Sequence, residues 1–392
     1  MQDAYIVAGY RTAVTKSKRG GFRFYRPDDL AITVIKGLLA SMPALDPKQV
    51  DDVIVGNAVP EAEQGLQVGR IIAARAVGIG VPGMTVNRYC ASGLETIAIA
   101  TAKIRSGQAD CVIAGGTESM SMVPTAGWKV VPAYSIASDD PDYYLSMGLT
   151  AEAVAKEYGV NREDQDQFSY QSHLKALNAI REGYFKNGIL PVKVQEVYLD
   201  KNGKKQEREF LVDTDEGPRA DTSPDALSKL KPVFAQGGTV TAGNSSQTSD
   251  GASFVVVMGE NKMKELGLKP LARLVSCASA GVHPRIMGIG PVEAVPRALK
   301  QAGMNLSQID LVELNEAFAS HALAVIRKLD MNPDIVNING GAIALGHPLG
   351  CTGSKLTVQL IHEMKRLGKK YSMVTACVGG GQGIAGILEN LQ

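Results

Sequence analysis

The chain repeats itself once, and this constrains its fold more than any other feature. Gln49–Ala58 (QVDDVIVGNA) aligns with Gln308–Ala317 (QIDLVELNEA) at an offset of 259. Cys90 aligns with Cys351, and Cys111–Gly116 with Ser372–Cys377, both at an offset of 261. Strand-like, helix-like and chemically interesting positions thus recur at nearly one spacing. The period is far longer than the 20–50 residues of stacked repeat arrays, so the pattern predicts two related halves.

Within each half, short β-branched apolar runs alternate with helical patterns. Ala4–Ala8, Val53–Val55, Cys111–Ala114, Phe254–Met258, Leu271–Ser276, Leu311–Leu314 and Ser372–Cys377 read as buried strands. Asp29–Ala40, Val68–Val77, Leu94–Ser106, Pro291–Ala302, Ala317–Leu329 and Ser354–Leu367 read as helices. Such alternation predicts an α/β fold with largely parallel sheets. Between the halves, from 119 to about 249, the texture changes to Met-, Pro- and Asp-rich stretches. This excursion has its own helices at Thr150–Tyr158 and Arg162–Glu182, and Lys201-Asn202-Gly203-Lys204 supplies an Asn-Gly hairpin turn. Loops carried on a rigid scaffold are common seats of binding specificity.

Composition excludes several function classes. With 392 residues, 45% of them apolar and 21% charged, the chain can bury a large core and is not a disordered one. Lys plus Arg number 41 against 40 Asp plus Glu, which offers no general grip on nucleic acid or an anionic membrane. No apolar run approaches the ~18 residues of a membrane span. The opening MQDAYIVAGYRTAV enters a strand at once and has no signal-peptide pattern. The five cysteines are scattered singly, with no zinc-ligand or disulfide spacing, so a cytoplasmic protein without a metal is expected.

Four segments carry candidate chemistry. Cys90 lies at a predicted helix start, where the peptide dipoles favour thiolate, the nucleophilic form. Asn315-Glu-Ala-Phe318 follows a strand end, the usual place for functional side chains in α/β folds, although Asn315 is also a good helix cap. Gly340–Gly353 (GGAIALGHPLGCTG) holds His347 in a glycine-lined turn, as an acid–base residue in a crowded loop requires. Cys377 ends a strand and is followed by Val-Gly-Gly-Gly-Gln-Gly, whose amides suit an oxyanion hole beside a second thiol.

Together NRYCASG with Cys90, NEAF, GHPLG with His347 and CVGGGQG with Cys377 resemble the signature set of the thiolases, over nearly the whole chain. The resemblance implies the five-layered αβαβα thiolase fold. The N-terminal half would span 1–262, with a loop domain inserted at about 119–249, and the C-terminal half 269–392. It implies cleavage of a 3-ketoacyl-CoA by CoA, giving acetyl-CoA and a shortened acyl-CoA through a cysteine thioester. In that scheme Cys90 is the nucleophile, His347 its base, and Cys377 the second acid/base. Asn315 positions an oxyanion-hole water, and the amides of Cys90 and Gly379 form a second hole. Ser246, Met147 and Arg219 match CoA-contacting positions. CoA is a substrate and no tightly bound cofactor is expected; the partners implied are a second copy, as homodimer or homotetramer, and a possible hydratase/dehydrogenase subunit. Ser146, where biosynthetic members usually have His, and Gly243-Asn-Ser-Ser-Gln247 resemble the degradative branch of fatty-acid β-oxidation. A biosynthetic acetyl-CoA acetyltransferase and an inactive acyl-CoA- or lipid-binding relative remain alternatives. Ketoacyl-carrier-protein synthases pair their Cys with two His, which Asn315 and Cys377 do not supply.

Overall fold

A computed structural model describes residues 2–392. The first half lays down strands β1 (Ala4–Arg11) and β2 (Thr15–Lys16), helix α1 (Pro27–Ser41), β3 (Asp52–Gly56) and α2 (Val68–Ala76). It continues with β4 (Gly83–Val86), α3 (Ser92–Arg105) and β5 (Cys111–Ser119). The chain then leaves the sheet for α4 (Tyr134–Asp139), α5 (Met147–Glu157), α6 (Arg162–Arg181), β6 (Val192–Leu199), β7 (Lys205–Val212) and α7 (Pro224–Ser228). It returns as β8 (Ser249–Gly259) and α8 (Glu260–Glu265). The second half adds β9 (Ala272–Gly281), α9 (Gly290–Ala302), β10 (Leu311–Leu314), α10 (Ala319–Lys328) and α11 (Ala342–Leu345). Helix α12 (Leu349–Leu367) and strands β11 (Tyr371–Val378) and β12 (Gln382–Asn390) complete it.

The duplication is visible in the strand order. The first half runs β1-β8-β5-β3-β4 and the second β9-β12-β11-β10, joined where Ile6 pairs with Ala272. Even the outermost strand has a counterpart, since Val336 bridges Val312 in parallel, as β4 flanks β3. The sheets are mixed, not largely parallel. β3 pairs in parallel with β4 and β5, and β10 with β11, but β8 and β12 run antiparallel to their neighbours. Strand β12, unforeseen in the sequence, is the reason in the second half. It follows β11 through Gly379–Gly381, far too short for the crossover a parallel pair needs. The glycines of β12 mask its strand character, and Gly383 lies against the backbone of Gly290, where a Cβ would overlap.

Strand alternation divides the core into three apolar regions, which define five layers. Val53 and Val55 face α1 and α2, whereas Ile54 faces α3 and α12. Val374, Ala376 and Val378 of β11 face the same two helices from the other side, and Met373 faces α9 and α10. The order is therefore helices, sheet, central helices, sheet, helices. The hairpin β6–β7 forms as expected, but its connection is five residues long. Asp200 organises it, its Oδ1 accepting from the amides of Asn202 (2.8 Å) and Lys204 (2.9 Å).

The central helices meet backbone to backbone at their first turns. A Cβ at Gly93 would fall 2.6 Å from the Ser354 nitrogen, and one at Gly353 would overlap Leu94. A methyl group there must push the two helices apart. Gly93→Ala is therefore expected to destabilise the protein by about 1–3 kcal/mol. Gly80→Ala, which meets nothing within 4 Å, should change stability by less than about 0.5 kcal/mol. Urea denaturation midpoints check this, and equal midpoints for the two variants would refute the close-contact account.

Candidate active site

Cys90 is not in the helix but on the turn before it. Tyr89–Ala91 is a single 3₁₀ turn leading into α3, and Tyr89 has φ 44°, a left-handed conformation that strains a side-chain-bearing residue. The surrounding motif holds that strain. The Tyr89 amide donates to Asn87 Oδ1 (2.9 Å), and Asn87 Nδ2 donates to the Ala58 carbonyl (3.0 Å). Ser92 Oγ accepts from the Arg88 amide (2.9 Å) and donates to the Tyr89 carbonyl (2.7 Å). Arg88 is tied to Glu95 Oε2 (2.8 Å) and Gln382 Oε1 (3.0 Å). Each polar residue of NRYCAS thus holds the elbow that carries the thiol.

The thiolate expected from the helix start is not favoured at rest. Burial pushes the Cys90 thiol up to about 12, and the amides of Gly379 and of Cys90 itself only partly oppose this. Those two amides, the pair expected for one oxyanion hole, are close enough to the Cys90 sulfur to favour its thiolate. Cys377 is also pushed up, by burial first and then by the Cys90 thiol beside it. The two thiols are therefore close enough for charge on one to disfavour charge on the other. Cys111, Cys277 and Cys351 are unpaired core residues, and Cys351 lies inside α12 with no elbow of its own.

His347 follows Gly346, whose φ of 91° requires glycine. Its amide donates to the Gln247 carbonyl (3.1 Å), and Gln247 Nε2 donates to the carbonyls of Gly217, Ile343 and Ala344. The ring is fixed at both nitrogens. Nδ1 lies 2.6 Å from Thr352 Oγ1, which spends its own proton on the Pro348 carbonyl (2.9 Å). Thr352 can then only accept, so the ring proton sits on Nδ1 and Nε2 is bare. Asn315 Nδ2 donates to Nε2 at 3.3 Å. Burial, assisted by Lys355, lowers His347 to about 3, so it is neutral and can act as a base.

Asn315 does not cap a helix. It lies on the extended stretch between β10 and α10, its amide donating to the Thr375 carbonyl (2.9 Å), and α10 begins only at Ala319. Its Oδ1 is buried and has no hydrogen-bond partner among the described residues, which suits an ordered water. Two buried carboxylates brace the loops behind. Glu118 accepts from the amides of Ala58 and Gly350 (both 2.8 Å) and from Gln64 Nε2 (2.7 Å). Glu316 accepts from Ser172 Oγ (2.7 Å), Asn337 Nδ2 (2.8 Å) and the Ile343 amide (3.2 Å).

The other sequence candidates fall in different places. Met147, at the start of α5, packs with Ala317 and Phe318 against Cys377. The Ser246 amide donates to the Ala317 carbonyl (2.9 Å), which brings the loop 241–247 beside the NEAF segment. Arg219 is exposed, its amide donating to His173 Nδ1 (3.2 Å), and no contact joins it to the thiols. Thr352 and Gln247 were not foreseen as supports of His347, although both belong to segments singled out in the sequence. One group with metal-ligating chemistry occurs among the described residues, Asp140, Asp142 and His283, and none of its members touches the thiols.

A buried cysteine on a strained elbow, a neutral imidazole with a bare Nε2 and a second thiol, all between duplicated α/β halves, define a site for thiol-dependent acyl transfer. Its family follows from comparison with known proteins. The thiolase N-terminal domain matches residues 4–261 and the thiolase C-terminal domain residues 268–390. The chain is 53% identical over 390 residues to a 3-ketoacyl-CoA thiolase of Bacillus subtilis (strain 168), covering 99% of this chain and 100% of that one. It is 43% identical over 394 residues to the peroxisomal 3-ketoacyl-CoA thiolase 5 of Arabidopsis thaliana, covering 99% and 85%. The crystal structure of the Bacillus anthracis acetyl-CoA acetyltransferase superposes with a TM-score of 0.90 at 37% identity, covering 100% and 99%. The chain belongs to the thiolase family.

The tautomer of His347 is open to test. Thr352→Val removes the acceptor at Nδ1 with little change of shape, and kcat should fall about 10- to 100-fold with KM nearly unchanged, as for other lost outer partners. Thr352→Ser should retain most of the activity. Steady-state kinetics of the two variants checks this, and a Val variant as fast as the wild type would overturn the assignment.

Proposed function

We propose that the protein is a 3-ketoacyl-CoA thiolase of fatty-acid β-oxidation, with CoA as a substrate and no resident cofactor. The observation that carries the reading is Cys90 buried on a strained elbow before α3, with the amides of Gly379 and Cys90 and the thiol of Cys377 near its sulfur. Cys90 gives its proton to His347 Nε2 as the sulfur attacks the 3-keto carbon. The resulting oxyanion is held by an oxyanion hole. As it collapses, the bond between C2 and C3 breaks, leaving an acyl thioester on Cys90 and the enolate of acetyl-CoA. Cys377 protonates that enolate. The CoA thiol then returns a proton to the Cys377 thiolate and attacks the thioester. Cys90 leaves and recovers its proton from His347.

Because all three groups are neutral at rest, charge appears only when substrate fills the enclosure. Met147, packed beside Cys377, and Ser246, on the loop beside Ala317, would meet the pantetheine arm. Arg219 would act only at the exposed outer end of CoA. The Gly243-Asn-Ser-Ser-Gln247 segment, which resembles the degradative branch, supports the degradative reading, and Gln247 braces the His347 turn through three carbonyls. Thiolysis rates against 3-ketoacyl-CoA of short, medium and long chain test the assignment. Turnover extending to medium and long chains is expected, together with an acyl label on Cys90 in peptide mass maps. Activity confined to acetoacetyl-CoA would point to the synthetic direction, and a label on Cys111, Cys277 or Cys351 would sink the site.

The same reading takes the chain to be a homo-oligomer working in the cytoplasm. Among the described residues no helix is long and apolar enough to cross a membrane. Strand β4 is an edge strand paired only with β3, directly before the Cys90 elbow. Leu66 and Ile79, which flank α2 beside it, are 92% and 83% exposed. An unpaired edge with apolar neighbours is what a second copy would cover. Sedimentation should give at least a dimer, and a fully active 41.5 kDa monomer at micromolar concentration would contradict it.

A further inference from the structure

The second thiol has a polar neighbour that the mechanism above does not use. His321 Nδ1 lies 3.8 Å from Cys377 Sγ. The imidazole sits in the first turn of α10, is 1% exposed, and packs edge-on against Phe318 with ring centroids 5.1 Å apart. On its other side is Gly288, where a Cβ would overlap the ring, so the side chain is held in one orientation. Burial lowers His321 to about 4, which keeps the ring neutral with a single N–H. Nε2 makes no hydrogen bond of ordinary geometry among the described residues, and the Thr150 backbone beside the ring partly opposes the effect of burial. A proton on Nδ1 is directed at the Cys377 sulfur, whereas one on Nε2 finds no well-placed acceptor.

We propose that His321 is a positioning residue for Cys377, donating Nδ1–H to its sulfur, orienting the S–H toward the substrate carbon and stabilising the thiolate once that proton has left. This rests on the reading of Cys377 as the acid that protonates the enolate. In that step the S–H bond breaks as a C–H bond forms on the methyl carbon of acetyl-CoA, and the electron pair stays on sulfur. The CoA thiol later restores the S–H bond. His321 keeps its own proton throughout. The apolar side chains clustered with Cys377, among them Met147, Met287 and Phe318, offer a buried thiolate no polar group.

The test separates the two half-reactions. Exchange of the acetyl-CoA methyl protons with deuterated water depends on Cys377, whereas single-turnover acylation of Cys90 by an acyl-CoA depends on His347. His321→Leu should lower exchange about 10- to 100-fold while acylation stays within about twofold of wild type. His321→Asn, whose amide N–H can stand where Nδ1–H stood, should recover most of the exchange. Unchanged exchange in the Leu variant, or equal loss of both half-reactions with no recovery by Asn, overturns the proposal in favour of simple packing. Neutron diffraction of the wild-type protein gives a readout that no misfolded variant can confuse: the ring proton is expected on Nδ1, and a proton on Nε2 alone overturns the proposal. Cys377→Ala tests the underlying reading separately. If that variant still exchanges at the wild-type rate, the assignment of Cys377 itself is wrong, whatever His321 does.

Discussion

The backbone contact between the first turns of α3 and α12 underlies the rest of the molecule. Gly93 lies against Ser354, and Gly353 against Leu94, at distances that admit no side chain. That contact sets the separation of the two sheets, because α3 packs mainly under the first and α12 reaches both. It also places the ends of the duplicated halves side by side. The elbow before α3 carries Cys90, and the loop before α12 carries His347. Glu118 locks the arrangement by accepting from Ala58 in one half and Gly350 in the other. Cys90 and His347, 257 positions apart in the sequence, are thereby held by one rigid crossing.

The site's electrostatics follow from its depth. A helix terminus contributes about 0.3–1 kcal/mol to a nearby charge. Moving a thiol from 9.0 to about 12 corresponds to roughly 4 kcal/mol in the opposite direction. Burial therefore wins, which is why Cys90 rests as a thiol although it precedes a helix. The same depth holds His347 neutral, with its tautomer set by Thr352. Any negative charge formed on the Cys90 sulfur must then be met by the nearby amides of Gly379 and Cys90.

Much of this was legible in the sequence. The strands with β-branched runs, the helices beside them and the duplication were all readable, because local periodicity and self-similarity carry them. Cys90, His347 and Cys377 stood out because each lies in a short segment rich in Gly, Asn or Ser, and Asn315 because it follows a strand end. Strand β12 was hidden, since the glycines that let α9 approach remove its strand signature. Thr352 sat in a segment already noted, but its role depends on a hydroxyl whose proton is used elsewhere. His321 had no local signal at all. It reads as an ordinary helical residue until the fold brings it against Cys377 from a different strand. The helix-start argument for Cys90 failed for a related reason, because burial is a property of the whole fold and not of its neighbours in sequence.

Keeping every reacting group uncharged in a dry interior has a consequence for how the protein meets its medium. Dissolved ions screen charges that face water and have little effect on dipoles sealed beneath them. The bond-making steps at the two sulfurs should therefore be indifferent to ionic strength. The exposed loops of the excursion, Arg219 among them, are not sealed, and charges meeting there are subject to screening. Salt would then separate capture from chemistry, altering how readily the molecule fills and not how fast it works once filled.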